Sequence, residues 1–278
     1  MNKSGCGAIA LLGVICAQPT LAQSQVTLYG IVDSGVVYTT HANASGDSVL
    51  KVPGPTGSLP SRIGFKGVED LGGGLEALFV LENGFAVDTG SMGQGNRFFG
   101  RQSFVGLHGN YGTLRLGRQN NMTSLALAKS DVMGPNIFSI SSIDPYIPNA
   151  RSDNAIGYLG TFSGVTVGTT YSFGRDTSSA GGAGATGCPG EVAGNAKACR
   201  QVTGMLAYDS PDFGIATSYD VLYGNTGAAA GLTSSGNTDQ RITLGGYGKL
   251  NKIKISMGIM NRKTRAAAAV NTDSNLYY

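Results

Sequence analysis

Two close cysteines, two histidines and a scatter of arginines and carboxylates are the groups here that could bind, cleave or conduct. Cys188 and Cys199 lie in a Gly/Ala-rich segment, and such a pair in an exported chain suggests a disulfide that pins a single loop. Two free thiols are the alternative, which an oxidising compartment disfavours. A zinc site lacks donors, because only two histidines could complete it once the leader cysteines are gone. His41 and His108 are the only imidazoles, so hydrolysis by an acid–base pair would need one beside a serine or an aspartate. The nearest approach to a phosphate cradle, Gly93-Gln-Gly95, neither follows a strand nor opens a helix, and its glycines read as turn residues. No cofactor and no metal are expected.

The elements that must position these groups begin after a leader. Lys3, an apolar run from Ala8 to Ala17, Pro19 and the small-residue site Thr20-Leu21-Ala22 read as a secretory signal over residues 1–22, cleaved before Gln23. The run is well short of the roughly 20 residues that a helix needs to cross a bilayer. Lipoprotein processing at Cys16 is the weaker reading, since Ile15 stands where a small residue is needed. Cys6 and Cys16 leave with the leader. So does Lys3, which leaves 19 basic and 17 acidic residues from the 20 and 17 of the whole chain. They are spread rather than blocked, and give no support to nucleic-acid binding.

The 44 glycines are about twice the average usage of roughly 7%, and no long stretch has a 3.6-residue period. Alternation is the dominant pattern, as in an all-β chain. Val26, Leu28, Gly30 and Val32 alternate with Thr27, Tyr29, Ile31 and Asp33; Ile63 and Phe65 oppose Arg62, Gly64 and Lys66. Leu75, Ala77, Phe79 and Leu81 oppose Glu76, Leu78, Val80 and Glu82. Val165, Val167, Thr169, Tyr171 and Phe173 oppose Thr166, Gly168, Thr170 and Ser172, and Ile253, Ile255, Met257 and Ile259 oppose Lys252, Lys254, Ser256 and Gly258. A transmembrane barrel strand and a soluble sandwich strand share this period, so alternation alone does not separate them.

The connections separate them better. Long polar breaks over 40–60, 86–97, 120–150, 174–200, 221–240 and 261–274 alternate with tight turns at Asp70–Gly74, Gly109–Gly112, Gly160–Gly164, Ser210–Asp212 and Gly248–Asn251. Long loops at one end and short turns at the other mark an antiparallel up-and-down barrel. The count is about 11 complete strands, with a twelfth barely begun at Asn275 to Tyr278. Bacterial barrels close with even strand numbers, and an unclosed sheet leaves backbone groups unpaired in hydrocarbon, so the chain reads as lacking its last strands. His41 falls in the first long loop and His108 beside a short turn at the opposite end; they cannot meet, which argues against an enzyme.

Several segments resemble the general porins of β-proteobacteria. These are Val26-Thr-Leu-Tyr-Gly-Ile-Val-Asp-Ser-Gly35, Ser61-Arg-Ile-Gly-Phe-Lys-Gly-Val-Glu-Asp-Leu-Gly-Gly-Gly-Leu-Glu76, Leu81-Glu-Asn-Gly-Phe85, Phe99-Gly-Arg-Gln-Ser-Phe-Val-Gly-Leu107, Tyr111-Gly-Thr-Leu-Arg-Leu-Gly-Arg-Gln119 and Arg151-Ser-Asp-Asn154. The resemblance is strong through residue 174 and looser to residue 278, where strand texture and Tyr208, Tyr219 and Tyr247 match. It implies a 16-stranded outer-membrane barrel, a homotrimer, and a pore narrowed by an inward-folded third loop. The family's final strand ending in phenylalanine is not present, and the Cys188/Cys199 loop is not a family feature.

The resemblance also implies a filter. Arg62, Arg101 and Arg151 match positions where the family carries constriction arginines, and Arg62 has lumen parity with Lys66. Arg115 faces inward if Leu114 and Leu116 face lipid, and Arg118 falls at the strand end where the third loop begins. Arg101 shares parity with Ser103, Val105 and Leu107, which look lipid-directed; a bulge or a trimer interface could account for this. The acidic side would be Asp131 and Asp144 on the third loop, each as well suited to capping a turn, with Glu82 balancing nearby arginines. Excess arginine favours anions. The expectation is a passive channel for small hydrophilic solutes and ions, in contact with outer-membrane lipid and lipopolysaccharide. A secreted β-rich adhesin without a channel, or a truncated porin that never inserts, are the alternatives.

Overall fold

In the computed structural model the chain is a succession of antiparallel strands, nearly all paired to the next along the sequence. The structure describes residues 25–54, 56–134, 136, 139–140, 144, 146–147, 150–176, 186–266 and 271–278; the leader expected over 1–22 lies outside them. After β1 (Gln25–Ile31), a small hairpin of β2 (Val37–Thr39) and β3 (Val49–Lys51) forms a sheet of its own. The main sheet runs from β1 to β4 (Arg62–Gly72), β5 (Leu75–Gly84), β6 (Gln102–Gly109) and β7 (Gly112–Asn120). The two-residue β8 (Arg151–Ser152) pairs with the end of β7. Then follow β9 (Ala155–Phe162), β10 (Val165–Ser172), β11 (Gln201–Asp209), β12 (Phe213–Tyr223), β13 (Thr238–Leu250), β14 (Ile253–Arg265) and β15 (Thr272–Tyr277). The sheet has 13 strands including β8; β1 and β15 are its edges and do not pair with each other, so it is open.

Burial follows the alternation. In β10, Val165, Val167, Thr169 and Tyr171 are exposed while Thr166, Gly168, Thr170 and Ser172 are buried. Register carries each face across the neighbours: Val167 stands beside Leu206, then Thr217, Leu244 and Ile259. On the other face Thr170 stands beside Thr203, then Asp220, Arg241 and Arg262. The buried face is therefore polar and the exposed face apolar, the reverse of a water-soluble sandwich and the arrangement that lipid outside and water inside require. Met257 is 70% exposed and Ile255 62%; no helix among the described residues is long and apolar enough to cross a membrane.

The short turns fall where the sequence places them. Between β9 and β10 only Ser163 and Gly164 intervene, both at positive φ (50° and 85°), which gives the twist that a two-residue hairpin needs. The later long connections are shorter than expected, because β12 continues to Tyr223, β13 starts at Thr238 and β14 reaches Arg265. Outward positions there turn polar, at Gln240, Lys263 and Arg265, so the alternation that marks a strand by hydropathy stops while ladder hydrogen bonds continue. The twelfth strand along the main path is also fuller than expected, beginning at Thr272.

The third long connection turns inward as a nine-residue helix, Met122–Ser130, which the sequence pattern did not foretell. The Asn121 carboxamide caps it by accepting from the Ser124 N–H at 3.1 Å. Met122 and Ala126 pack on Met205, Ala207 and Ala216 of the inner wall. Glycines on the inner wall give the helix room: a Cβ at Gly245 would stand 2.5 Å from Ser130 Oγ, and one at Gly168 2.3 Å from Met122 Sδ, so those side chains would have to move.

Candidate functional site

Three arginines gather about one carboxylate near the entrance of β4. Glu82, on the inner face of β5 opposite Gly64, accepts from Arg101 Nε at 2.6 Å and from the Tyr29 hydroxyl at 2.8 Å, with Arg62 Nε at 4.0 Å. Gly64 leaves the place that the Tyr29 ring fills. Arg101 precedes β6 rather than belonging to it, and its N–H donates to the Glu82 carbonyl at 3.0 Å. Its side chain is therefore free of the strand's parity, with no bulge needed. Arg151, the first residue of β8, is buried, and Arg101, Arg118, Glu82 and Arg175 are among the charges that act on it. Lys66 lies on the same inner face, 5.8 Å from the Tyr29 ring centroid.

Arg115 faces inward over Phe104 at 5.4 Å and makes no ion pair among the described residues. Arg118 pairs in register with Ser103, on the opposite face from Arg115. It follows Gly117, whose φ of 124° suits glycine, and its guanidinium turns to the Gly100 carbonyl at 2.7 Å and to the Asp153 carboxylate. Arg97 joins Asp153 at 3.2 Å and also holds Asp176. Arg97 carries no signal in the sequence, since a loop residue has no parity, and Asp153 is marked only by its place in Arg151-Ser-Asp-Asn154.

The acidic residues expected across from the arginines lie elsewhere. Asp131 ends the helix: its N–H bonds the Leu127 carbonyl and its carboxylate accepts from the Met133 N–H, both at 3.1 Å. Asp144 is buried against the far wall, 3.1 Å from Arg241 Nε and 3.8 Å from Arg262. Of the expected acids, only Glu82 sits among the arginines.

A second charged cluster surrounds Asp144. Asp239 accepts from Arg241 at 2.9 Å and Arg262 at 3.0 Å. Asp220 accepts from Gln201 Nε2 at 2.9 Å, from Thr123 Oγ1 at 3.0 Å and from the Tyr146 hydroxyl. Burial first, and the Asp220 carboxylate next, hold the Tyr146 hydroxyl well above its ordinary range, so it stays a neutral donor. The alternation Asp239, Arg241, Thr243 against Gln240, Ile242, Leu244 carried a signal for this wall, which the loop expected over 221–240 obscured.

Cys188 and Cys199 form a disulfide. It packs with Leu222, Ala228 and Leu232, so it ties its own connection to the one after β12 rather than restraining one loop alone. No group of three His, Cys, Asp or Glu among the described residues is placed to hold a metal.

Residues 7–278 match the family described as Gram-negative porin. Outer membrane porin protein 32 of Delftia acidovorans is 38% identical over 179 residues, covering 59% of this chain and 48% of the relative. An outer membrane porin protein of Bordetella pertussis is 31% identical over 273 residues, covering 92% of this chain and 68% of the relative. The chain thus spans about half the length of the Delftia protein and about two-thirds of the Bordetella one. Among solved structures, an anion-selective porin from Comamonas acidovorans superimposes with a TM-score of 0.70 at 28% identity, over 92% of this chain and 73% of that one. OmpF of Salmonella typhi, at 16% identity and a TM-score of 0.58 over 86% of this chain and 66% of that one, shares the fold. With its inside-out strands, inward third connection and family match, the chain belongs to the Gram-negative porins.

Proposed function

We propose that this chain forms a passive pore in the outer membrane of a Gram-negative bacterium, one that admits small hydrophilic solutes and ions and prefers anions. The observation that carries the reading is the placing of Arg62 and Arg101 on the Glu82 carboxylate with Arg151 near by, on the polar face of a sheet whose other face is apolar. Fixed positive charge in a narrow, low-dielectric lumen raises the local anion concentration. The likeness to the Comamonas porin, whose name is anion-selective, supports the same sign. A secreted adhesin would turn its apolar face inward, which these strands do not.

The chain acts as a channel and not as an enzyme: His108 bonds Thr113 beside a short turn, while His41 stands in the first long connection at the other end. Its residues 1–22 serve as the cleaved export signal and 23–278 as barrel. The working unit is a homotrimer in contact with outer-membrane lipid and lipopolysaccharide, with no nucleic acid and no cofactor. Reconstitution of the full-length protein in a planar bilayer tests this: stepwise conductance with a zero-current potential of anion-selective sign is expected in a salt gradient. A cation-selective sign, or a water-soluble product without conductance, would overturn the reading.

A further inference from the structure

We propose that Tyr146, held against Arg175 and Arg241, is the positioning residue that seats the third long connection on the pore wall, and that the Cys188–Cys199 disulfide keeps Arg175 in place for it. The inference rests on the pore reading above. The Tyr146 ring centroid lies 4.1 Å from the Arg241 guanidinium carbon and 4.8 Å from that of Arg175. Its hydroxyl donates to Asp220 and accepts from Gln201 Nε2 at 2.7 Å and from Asn121, the cap of the inward helix. One side chain of the connection thus meets β11, β12 and β13 at once, and the helix start as well.

Arg175 comes to this ring from a different loop, just beyond β10, and is itself buried. Its backbone N–H donates to the Cys199 carbonyl at 3.1 Å. The next residue, Asp176, exchanges two backbone hydrogen bonds with Cys188, at 2.8 and 3.4 Å. Arg175 and Asp176 are therefore gripped by the two half-cystines, which pack in turn on Leu222, Ala228 and Leu232. A loop beyond the strand ends is in this way built into the support of the third long connection. An exposed loop disulfide with no tie to the pore would need none of these interactions.

Single-channel recording of the full-length protein tests this against variants Tyr146→Leu, Arg175→Gln and the double variant Cys188→Ser/Cys199→Ser, each checked for a folded, heat-modifiable form on gels. Removing a desolvated cation–π interaction from the seat is expected to raise the time spent in secondary conductance levels roughly tenfold in Tyr146→Leu and Arg175→Gln. The double cysteine variant moves the same way, and Tyr146→Phe, which keeps the ring, less than Tyr146→Leu. Folded variants whose channels are as steady as the parent's, with only a lower unfolding midpoint, would overturn the inference while leaving the pore reading intact. A parent protein without channels would remove both. Should Tyr146→Leu fail to fold, Arg175→Gln and the cysteine pair decide the matter.

Discussion

Glu82 and Asp144 are both buried carboxylates on the inner face of the sheet, yet the charges around them are balanced differently. Arg62, Arg101 and Arg151 surround Glu82, and the Arg62 and Arg101 side chains keep 21% and 15% of their surface open. Around Asp144, Arg241 and Arg262 face Asp144, Asp239 and Asp220; the Arg241 side chain keeps 2% and that of Arg262 29%. Arginines in excess of carboxylates on the inner wall project a positive field into the lumen. A network in which every guanidinium has its own carboxylates projects little and holds structure instead. On the function proposed, one face of one sheet carries a cluster that acts on ions and a cluster that seats a loop.

The sharpest way to break this division is at Arg241. Arg241→Met leaves Asp239 to Arg262 and Thr264 and Asp144 to Arg262 at 3.8 Å, and is expected to cost about 3 kcal/mol, read as a lower urea midpoint of the detergent-solubilised protein. A midpoint close to the parent's would remove the structural role from the second cluster. Next in size is Cys188→Ser/Cys199→Ser, which opens a short covalent ring and is expected to lower stability by about 2–3 kcal/mol by the same assay. A contrast across the sheet follows: Met257→Arg, on the lipid face, is expected to cost about 2 kcal/mol, and Ser256→Arg, its neighbour on the water face, close to nothing. Equal costs would mean that the two faces do not meet different solvents. The smallest effect belongs to salt. As the screening length falls from about 10 Å at 0.1 M to about 3 Å at 1 M, the anion preference measured from reversal potentials is expected to shrink.

Much of the architecture was legible because lipid imposes a period of two and the turns punctuate it. Val165 to Ser172 reads directly as a strand, and the pairs of faces inferred there hold in register across β11 to β14. Where side chains leave the apolar band, hydropathy loses the strand, and with it Asp239 beside Arg241. The charged groups were legible unevenly. Arg62 has strand parity and was placed by it; Arg101, one residue outside β6, was not. Asp144 and Tyr146 sit in a connection whose position depends on partners far away in sequence, on β11 to β14, and no local pattern encodes those pairings. The helix Met122–Ser130 is short, and its room beside glycines 168 and 245 comes from distant strands.

The central claim, that the arginine-rich cluster about Glu82 and not the balanced one about Asp144 sets the preference for ions, is tested most directly by the zero-current potential of Arg62→Gln/Arg101→Gln in a salt gradient across a planar bilayer. The account predicts a shift toward cation preference in a protein that still folds and conducts. An unchanged potential in that folded, conducting variant would contradict it.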